Sequence, residues 1–513
     1  MRCLCGLIVT TTSPTTPGVC GDRPMMEAKE ACGVFGVYAP GRSVAHLTFD
    51  GLYALQHRGQ ESAGMAVSDG DAITVMKDMG LVTTVFDERK LSGLRGHIAI
   101  GHTRYSTAGS SDWIHAQPVF RGVGRAGFGL AHNGNLTNTM ALSEKANMLP
   151  GLVGSDSDLV AELLAQAFPP DDPERPRSEV ADDLEAALVS VLPSVEGAFS
   201  FVLLDADRMI GVRDPNGFRP LCLGRLEATD EFEMGWVLAS ESPALDVIGA
   251  TFIRELEPGE MVVIDGKEVR SERPFPSGRL NPKLCIFEFV YFARPDTRLY
   301  GNEVHGARRR MGQLLATQAP VPADLVMGVP DSGVPAAEGY AVASGIPYGQ
   351  GLVKNRYIGR TFIAPTQAER ANGVRRKLNP LRENIAGKRV IVVDDSIVRG
   401  TTTRAMVTML RESGATEVHL RISSPPFRWP CFYGIDTPDR TELLASIKSI
   451  GEIVEFLDVD SLEYLTLDHL VTAIDAPGAG FCDACLTGNY PVPVPVEFSQ
   501  RTALSGAASG PPA

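Results

Sequence analysis

The chain has 513 residues, 44% of them apolar, with 48 basic against 62 acidic side chains and a net charge of −14. That length exceeds one ordinary hydrophobic core and points to two or three domains. The acidic balance excludes a general footprint for nucleic acid or anionic membrane, and no apolar stretch is long enough to span a bilayer.

Residues 1–31 read as a leader, mixing Thr, Ser, Pro and Gly with the charged segment MMEAKE. MRCLCGLIVT is briefly apolar but has one basic residue and no cleavage pattern, so a secretory signal is a poor fit and a cytoplasmic protein is expected. Met25 or Met26 would start a shorter leader. The texture changes at ACGVFGVYAP, a buried strand, followed by VAHLTFDGLYALQHRG, an amphipathic helix. SAGMAVS, HIAIGHT and FGLAHNG are strand candidates, 156–167 and 179–192 helical, and FSFVLLD, WVLAS and MVVID strands again. Many strands with few helices suggest a layered α+β domain on antiparallel sheets.

The polar stretch near 266–283 reads as a linker. Beyond it, helices at 302–318, 333–344 and 402–413 alternate with strands at DLVMGV, 346–352, RVIVVDD and EVHLRIS. Continuous apolar runs such as VIVV suit parallel strands covered on both faces, hence an α/β, doubly wound sheet. From 491 the chain is low in complexity and reads as a disordered tail. No internal repeat is seen.

Cys32 opens the first ordered segment. A Cys in an apolar strand is usually a small buried hydrophobe. It would be a nucleophile if leader removal made it the N-terminus, because a free α-amine titrates near pH ~8 and can serve as its base. GHTRYSTAG supplies Arg104, a fork suited to a carboxylate, or else a surface ion pair. HNGN supplies the Asn133 amide and the Gly134 N–H as an oxyanion pair, or else a hairpin turn. SDSD supplies Asp156 at a helix start, where an N-cap is the commoner role.

In this order CGVFG, GLYALQHRGQESAG, GHTRYSTAG, AHNGN and SDSD resemble the class II, N-terminal-nucleophile glutamine amidotransferases over about 32–265. The resemblance implies an αββα fold, Cys32 as nucleophile and through its amine the base, Arg104 and Asp156 gripping glutamine, and Asn133 with Gly134 as oxyanion hole. Family members more often show SDSE; the departure falls at Asp158, after the aspartate that matters.

The second motif is VIVVDDSIVRGTTT. An apolar strand ends in Asp394 and Asp395, and a loop with Ser396, Arg399, Gly400, Thr401 and Thr402 opens a helix. Backbone N–H groups and hydroxyls at a helix N-terminus make an anion cradle, and adjacent carboxylates suggest sugar hydroxyls and Mg²⁺. The alternative is a capping turn with two solvated aspartates. The stretch resembles the phosphoribosylpyrophosphate (PRPP) loop of type I phosphoribosyltransferases. MGVPDSGVPAA, LVKNRYIGRTFI, SSPPFRWPCFYGID and FEFVYFARPD resemble the amidophosphoribosyltransferases in particular, over about 284–490. That resemblance implies Mg²⁺ held by Ser332, Asp394 and Asp395, pyrophosphate facing the loop at Asp331, and a closing lid with Lys354, Arg356 and Tyr357.

Of nine cysteines, Cys3, Cys5, Cys20 and Cys222 have no evident role, and an odd, scattered set argues against a disulfide framework. Cys285, Cys431, Cys482 and Cys485 read by default as two buried thiols and a redox CxxC; among metals, spacing alone favours a Cys₄ zinc site slightly. Their contexts, CIFEFVYFARPD, PCFYGID and FCDACLTG, resemble the subgroup with a [4Fe–4S] cluster, which implies those four thiolates as ligands, in a structural or oxygen-sensing role.

The resemblance implies two half-reactions: glutamine hydrolysis through a Cys32 thioester, and displacement of pyrophosphate from PRPP by ammonia to give 5-phosphoribosylamine. It also implies internal ammonia transfer, stimulation of the glutaminase by PRPP, a homotetramer and inhibition by purine nucleotides. Two rivals remain. A hexosamine-forming amidotransferase would carry sugar-isomerase domains in place of the PRPP loop. A non-catalytic PRPP-binding regulator would have no need of Cys32, Arg104, Asn133, Gly134 and Asp156 together.

Overall fold

The structure, a computed structural model, describes residues 32–105, 113–124, 126–148, 154–169, 183–266, 268–355, 377–435, 437 and 439–494. The leader, Arg356, Tyr357 and the tail beyond 494 lie outside that set.

The first apolar segment forms the strand Gly33–Tyr38, buried at every position. Successive side chains of a strand point to opposite faces, so an unbroken buried run needs cover on both sides. Val34 joins Ile100, Ala131, Val202 and Met209 in a core between two sheets. Phe35 and Val37 turn the other way and join Val44 and Leu52, from the helix Val44–Ala54.

This strand sits centrally in a seven-stranded antiparallel sheet, ordered Thr251–Glu255, Cys222–Leu226, Gly235–Ala239, Gly33–Tyr38, Ile98–Arg104, Ser62–Ser68, Ile73–Met79. A six-stranded antiparallel sheet packs against it, ordered Glu268–Glu272, Met261–Asp265, Arg208–Arg213, Gly197–Leu204, Phe128–Leu136, Val119–Arg121. Helices Asp156–Ala167 and Asp183–Val191 cover its outer face, where Leu159, Leu164, Leu184 and Leu188 meet Phe128, Phe199 and Phe201. The layers run helix, sheet, sheet, helix.

Two local readings differ from this. The helix expected over VAHLTFDGLYALQHRG ends at Ala54. Beyond it the Gly59 backbone approaches strand Ile98–Arg104 so closely that a Cβ would lie 2.5 Å from the Thr103 carbonyl carbon, and the turn carries Arg58 into the interior. The stretch read as a linker also begins with a strand: Glu268–Glu272 pairs with Met261–Asp265 and extends the sheet past 265. Its polar composition suits an edge strand, where half the residues meet water.

The second region has a four-stranded parallel sheet, ordered Leu325–Gly328, Arg389–Asp394, Glu417–Ile422, Ser461–Tyr464. Ile391 and Val393 pack with Met311, Leu315, Ala336 and Tyr340 of helices Val304–Gln318 and Val334–Ser344. Val390 and Val392 pack with Met406, Leu410, Ile453 and Leu457 of helices Thr401–Glu412 and Ile450–Leu457. Helical cover on both faces explains the VIVV run. The strand expected near 346–352 is instead a single bridge at Tyr348 and a short antiparallel pair, Leu352–Lys354 with Leu378–Pro380; Pro347 and three nearby glycines disfavour a longer ladder.

The two regions share a buried charged seam. Arg58 bonds to Glu241, and its Nη2 donates to Glu288 Oε2 at 2.6 Å. Arg219 Nη1 donates to Glu288 Oε1 at 3.1 Å. All four side chains are essentially inaccessible to solvent. Burial disfavours the charge on Arg58, but Glu241 and Glu288 overcome it and raise its pKa; Arg58 and His57 likewise hold Glu241 well below the ordinary carboxylate range.

Candidate active sites

Cys32 precedes strand Gly33–Tyr38, whose pairing sets Gly33 opposite Thr103. The thiol therefore lies beside Arg104 and Tyr105. Its Sγ donates to Tyr105 O at 3.4 Å, and Tyr105 N approaches Sγ at 3.4 Å. Burial pushes the thiol pKa up; the Tyr105 contact and the Arg104 charge oppose this, and Asp156 and Glu61 add to it. So placed, the thiol is neutral at physiological pH and needs a base to become a nucleophile.

Arg104 and Asn133 are buried. Among the described residues, Arg104 Nη1 and both Asn133 side-chain atoms, Oδ1 and Nδ2, have no hydrogen-bond partner. An unsatisfied buried polar atom costs about 1–3 kcal/mol, so such donors and acceptors point to a site built for a polar ligand. His102 Nε2 donates to His132 O at 2.9 Å, which brings together the strands carrying Arg104 and Asn133. Gly134 has φ +150°, and a Cβ there would lie 2.0 Å from Ala198 O, so only glycine fits.

Asp156 opens the helix Asp156–Ala167, and Ser155, not Asp156, is the N-cap. Its Oδ2 accepts from Leu136 N at 3.1 Å, and its Oδ1 lies 3.6 Å from His132 Nδ1. Burial would raise its pKa, but His132 and the backbone donors win and hold it low, so it is an anion. Gln117, His132 and Ser157 brace it: Gln117 Oε1 accepts from His132 N at 2.8 Å, Gln117 Nε2 donates to Ser157 Oγ at 3.0 Å, and His132 Nδ1 lies 3.0 Å from Ser157 Oγ. Sequence reading gave these three no role, although His132 and Ser157 lie inside the quoted motifs.

In the second region Asp394 ends its strand and Asp395 follows, buried. Asp395 N donates to Asp394 Oδ1 at 2.9 Å, and Ser396 Oγ donates to Asp395 Oδ1 at 2.6 Å. Gly400, at φ +74°, turns the chain into helix Thr401–Glu412, whose first turn carries Thr401 and Thr402. The loop with Asp331 and Ser332 packs against the same strand end: Val329 N donates to Val393 O at 2.9 Å. Lys354 Nζ donates to Asp331 Oδ2 at 2.7 Å, across a largely exposed pair. Arg399 Nη2 donates to Glu442 at 2.6 Å.

The thiols of Cys285, Cys431, Cys482 and Cys485 form a third constellation. Cys285 and Cys482 pair in parallel between Leu284–Cys285 and Phe481–Cys482, and Cys485 lies in the turn Ala484–Thr487. Burial pushes the Cys285 thiol up to about 12, with Arg219 opposing and Glu288 and Cys431 adding. The Cys482 and Cys485 thiols are raised as well, first by burial and then by the neighbouring thiols. Among the described residues, no three His, Cys, Asp or Glu side chains form a cage for one metal ion. The thiols thus share one electrostatic neighbourhood from separate chain segments.

Residues 102–247 match the family described as glutamine amidotransferase domain, and residues 300–423 that described as phosphoribosyl transferase domain. The amidophosphoribosyltransferase of Mycobacterium bovis is 49% identical over 97% of this chain and 94% of its own. That of Bacillus subtilis is 45% identical over 93% and 96%. The solved structure of the B. subtilis glutamine PRPP amidotransferase, complexed with ADP and GMP, is similar at a TM-score of 0.80 and 43% identity, covering 92% of this chain and 100% of that one. Among the described residues no helix is long and apolar enough to cross a membrane.

Proposed function

The chain belongs to the amidophosphoribosyltransferase family, and from that premise we infer how its residues divide the family's reaction. The enzyme converts PRPP, glutamine and water to 5-phosphoribosylamine, glutamate and pyrophosphate, the first step of purine biosynthesis. The glutaminase half is assigned to residues 32–265 and the phosphoribosyl half to 284–490.

Cys32 attacks the glutamine amide once the leader is removed, its own α-amine taking the thiol proton. The raised thiol pKa makes that base necessary. Arg104 holds the substrate carboxylate and Asp156 its ammonium group. The Asn133 amide and the Gly134 N–H receive the oxyanion. Collapse releases ammonia and leaves a thioester, which water cleaves to glutamate. The observation that carries this assignment is the set of buried polar atoms on Arg104 and Asn133 without a partner among the described residues, with the Arg104 charge felt at the thiol.

In the second half, Asp394 and Asp395 hold the ribose hydroxyls, the loop Ser396–Thr402 with Arg399 and Gly400 holds the 5-phosphate, and Asp331, Lys354, Arg356 and Tyr357 attend the pyrophosphate. Ser332, Asp394 and Asp395 offer the hard oxygen donors that suit Mg²⁺, directly or through water, and the ion would neutralise the departing pyrophosphate. Ammonia passes internally, because in bulk solvent it would be diluted and protonated. Cys285, Cys482 and Cys485, buried, and Cys431, partly buried, supply the four-thiolate ligand set that a [4Fe–4S] cluster takes; the cluster would tie the C-terminal segment to the core. A cytoplasmic homotetramer inhibited by purine nucleotides completes the assignment.

Glutamate release by anaerobically purified protein, with and without PRPP and Mg²⁺, tests the reading. Strong stimulation by PRPP is expected. Equal rates would refute coupling. No hydrolysis at all, with a free Cys32 found by mass spectrometry, would refute the catalytic assignment.

A further inference from the structure

RDPNGFRPL, residues 213–221, is a motif that the two half-reactions leave unused. Arg219 lies within it and belongs to the glutaminase half, yet its guanidinium bonds across the seam. Its Nε and Nη2 donate to Tyr433 O at 3.1 and 2.7 Å, and its Nη1 donates to Glu288. Tyr433 stands two residues after Cys431, and its N donates to Cys431 Sγ at 3.3 Å. On the other side of Arg219, Phe218 O accepts from Cys285 N at 3.1 Å. The guanidinium is thus flanked by two of the four thiols, and its charge is felt at both.

The loop that Arg219 grips touches the oxyanion strand. Asn135 Nδ2 donates to Phe432 O at 2.9 Å. Gly434, at φ +102°, packs so closely that a Cβ there would lie 3.2 Å from the Gly134 carbonyl carbon and 3.1 Å from Arg219 Nη2. Phe218 and Tyr433 stack with centroids 4.4 Å apart, closing the same contact from the other side.

We propose that Arg219 is a positioning residue for two centres at once, compensating the negative charge of the four-thiol site and seating the Cys431–Gly434 loop on the oxyanion glycine Gly134. A buried guanidinium beside two thiolates stabilises the more negative state of whatever they hold. Its fork on the Tyr433 carbonyl fixes the loop that abuts Gly134, and an oxyanion donor acts only when held in place. The proposal rests on the thiols holding an iron–sulfur cluster.

The test compares the anaerobically purified, cluster-loaded full chain with Arg219→Lys, Arg219→Met and the pair Arg219→Met/Glu288→Gln. The pair removes both buried charges together and guards against simple misfolding. The midpoint potential of the cluster is read by redox titration, and kcat and KM for glutamine are read separately. Arg219→Met should lower the potential. Arg219→Lys and the pair, which restore the local charge balance, should bring it back toward the parent. All three should lose about tenfold in glutaminase kcat with little change in KM, because none keeps the fork. A parent-like potential in Arg219→Met, or a parent-like kcat in Arg219→Lys and the pair, would overturn the proposal. Iron and acid-labile sulfide in the parent alone decide the cluster reading, so its failure is separable.

Discussion

The two catalytic regions are built on opposite principles. The proposed glutaminase centre is interior: Cys32 is 8% exposed and Asn133 fully buried, and their setting is two sheets packed face to face. The proposed phosphoribosyl centre sits on loops at the end of a parallel sheet, where the side chain of Asp331 is 78% exposed and pairs with a half-exposed Lys354. A neutral amide gains from a dry site with donors fixed in advance. A polyanion such as PRPP arrives with its water and suits an open cradle of backbone N–H groups, hydroxyls and cations. Changes in the first region should therefore strike kcat or stability sharply. Changes in the second should appear mainly as affinity that depends on salt.

The largest effect should follow Cys32→Ala, which leaves no nucleophile. Glutamine-dependent synthesis should fall by about 10⁴-fold or more, while phosphoribosylamine formation from added ammonia persists. Loss of both activities would erase the contrast. Next, Asn133→Ala should cost about 10²–10³-fold in kcat with a modest change in KM; a pure KM effect in steady-state kinetics would make Asn133 a binding residue instead.

The seam between the regions should report on stability. Glu241→Gln leaves Arg58 with one anion fewer, and breaking a buried pair costs about 3–5 kcal/mol, read as a lower midpoint in denaturant. The pH sign follows from the lowered carboxyl of Glu241. A group whose folded pKa is depressed contributes fully above its ordinary value, here 4.5, and loses that contribution as pH falls toward the folded value. As pH falls below about 4.5 the parent should lose stability more steeply than Glu241→Gln. Parallel curves would show that the seam does not govern acid sensitivity.

The smallest structural effect belongs to the exposed pair. Lys354→Ala should change stability by no more than about 1 kcal/mol, yet raise the KM for PRPP, with a weaker salt dependence than in the parent. An unchanged KM for PRPP would place Lys354 outside the site.

What was legible in advance follows from how each feature is encoded. Cys32 at a strand entrance, the Asp394–Asp395 pair after a buried run and the glycine-turned anion loop are contiguous: strand period, turn chemistry and side-chain type stand next to one another in the chain. Both sheet classes were legible for the same reason, since two-sided burial writes itself into VIVV and GVFGVY. The sequence by itself thus determined the layers and the family whose reaction they carry. Only the tertiary structure decided the seam. Arg58 meets Glu241 across 183 residues and Glu288 across 230, and Arg219 meets Tyr433 across 214. Arginine and glutamate are ordinarily solvated surface residues, and no local periodicity marks those about to be buried together. They are brought inside because two regions close over them, and their charges are tolerated there because each is paired, Arg58 with Glu241 of its own region and both arginines with Glu288 of the other.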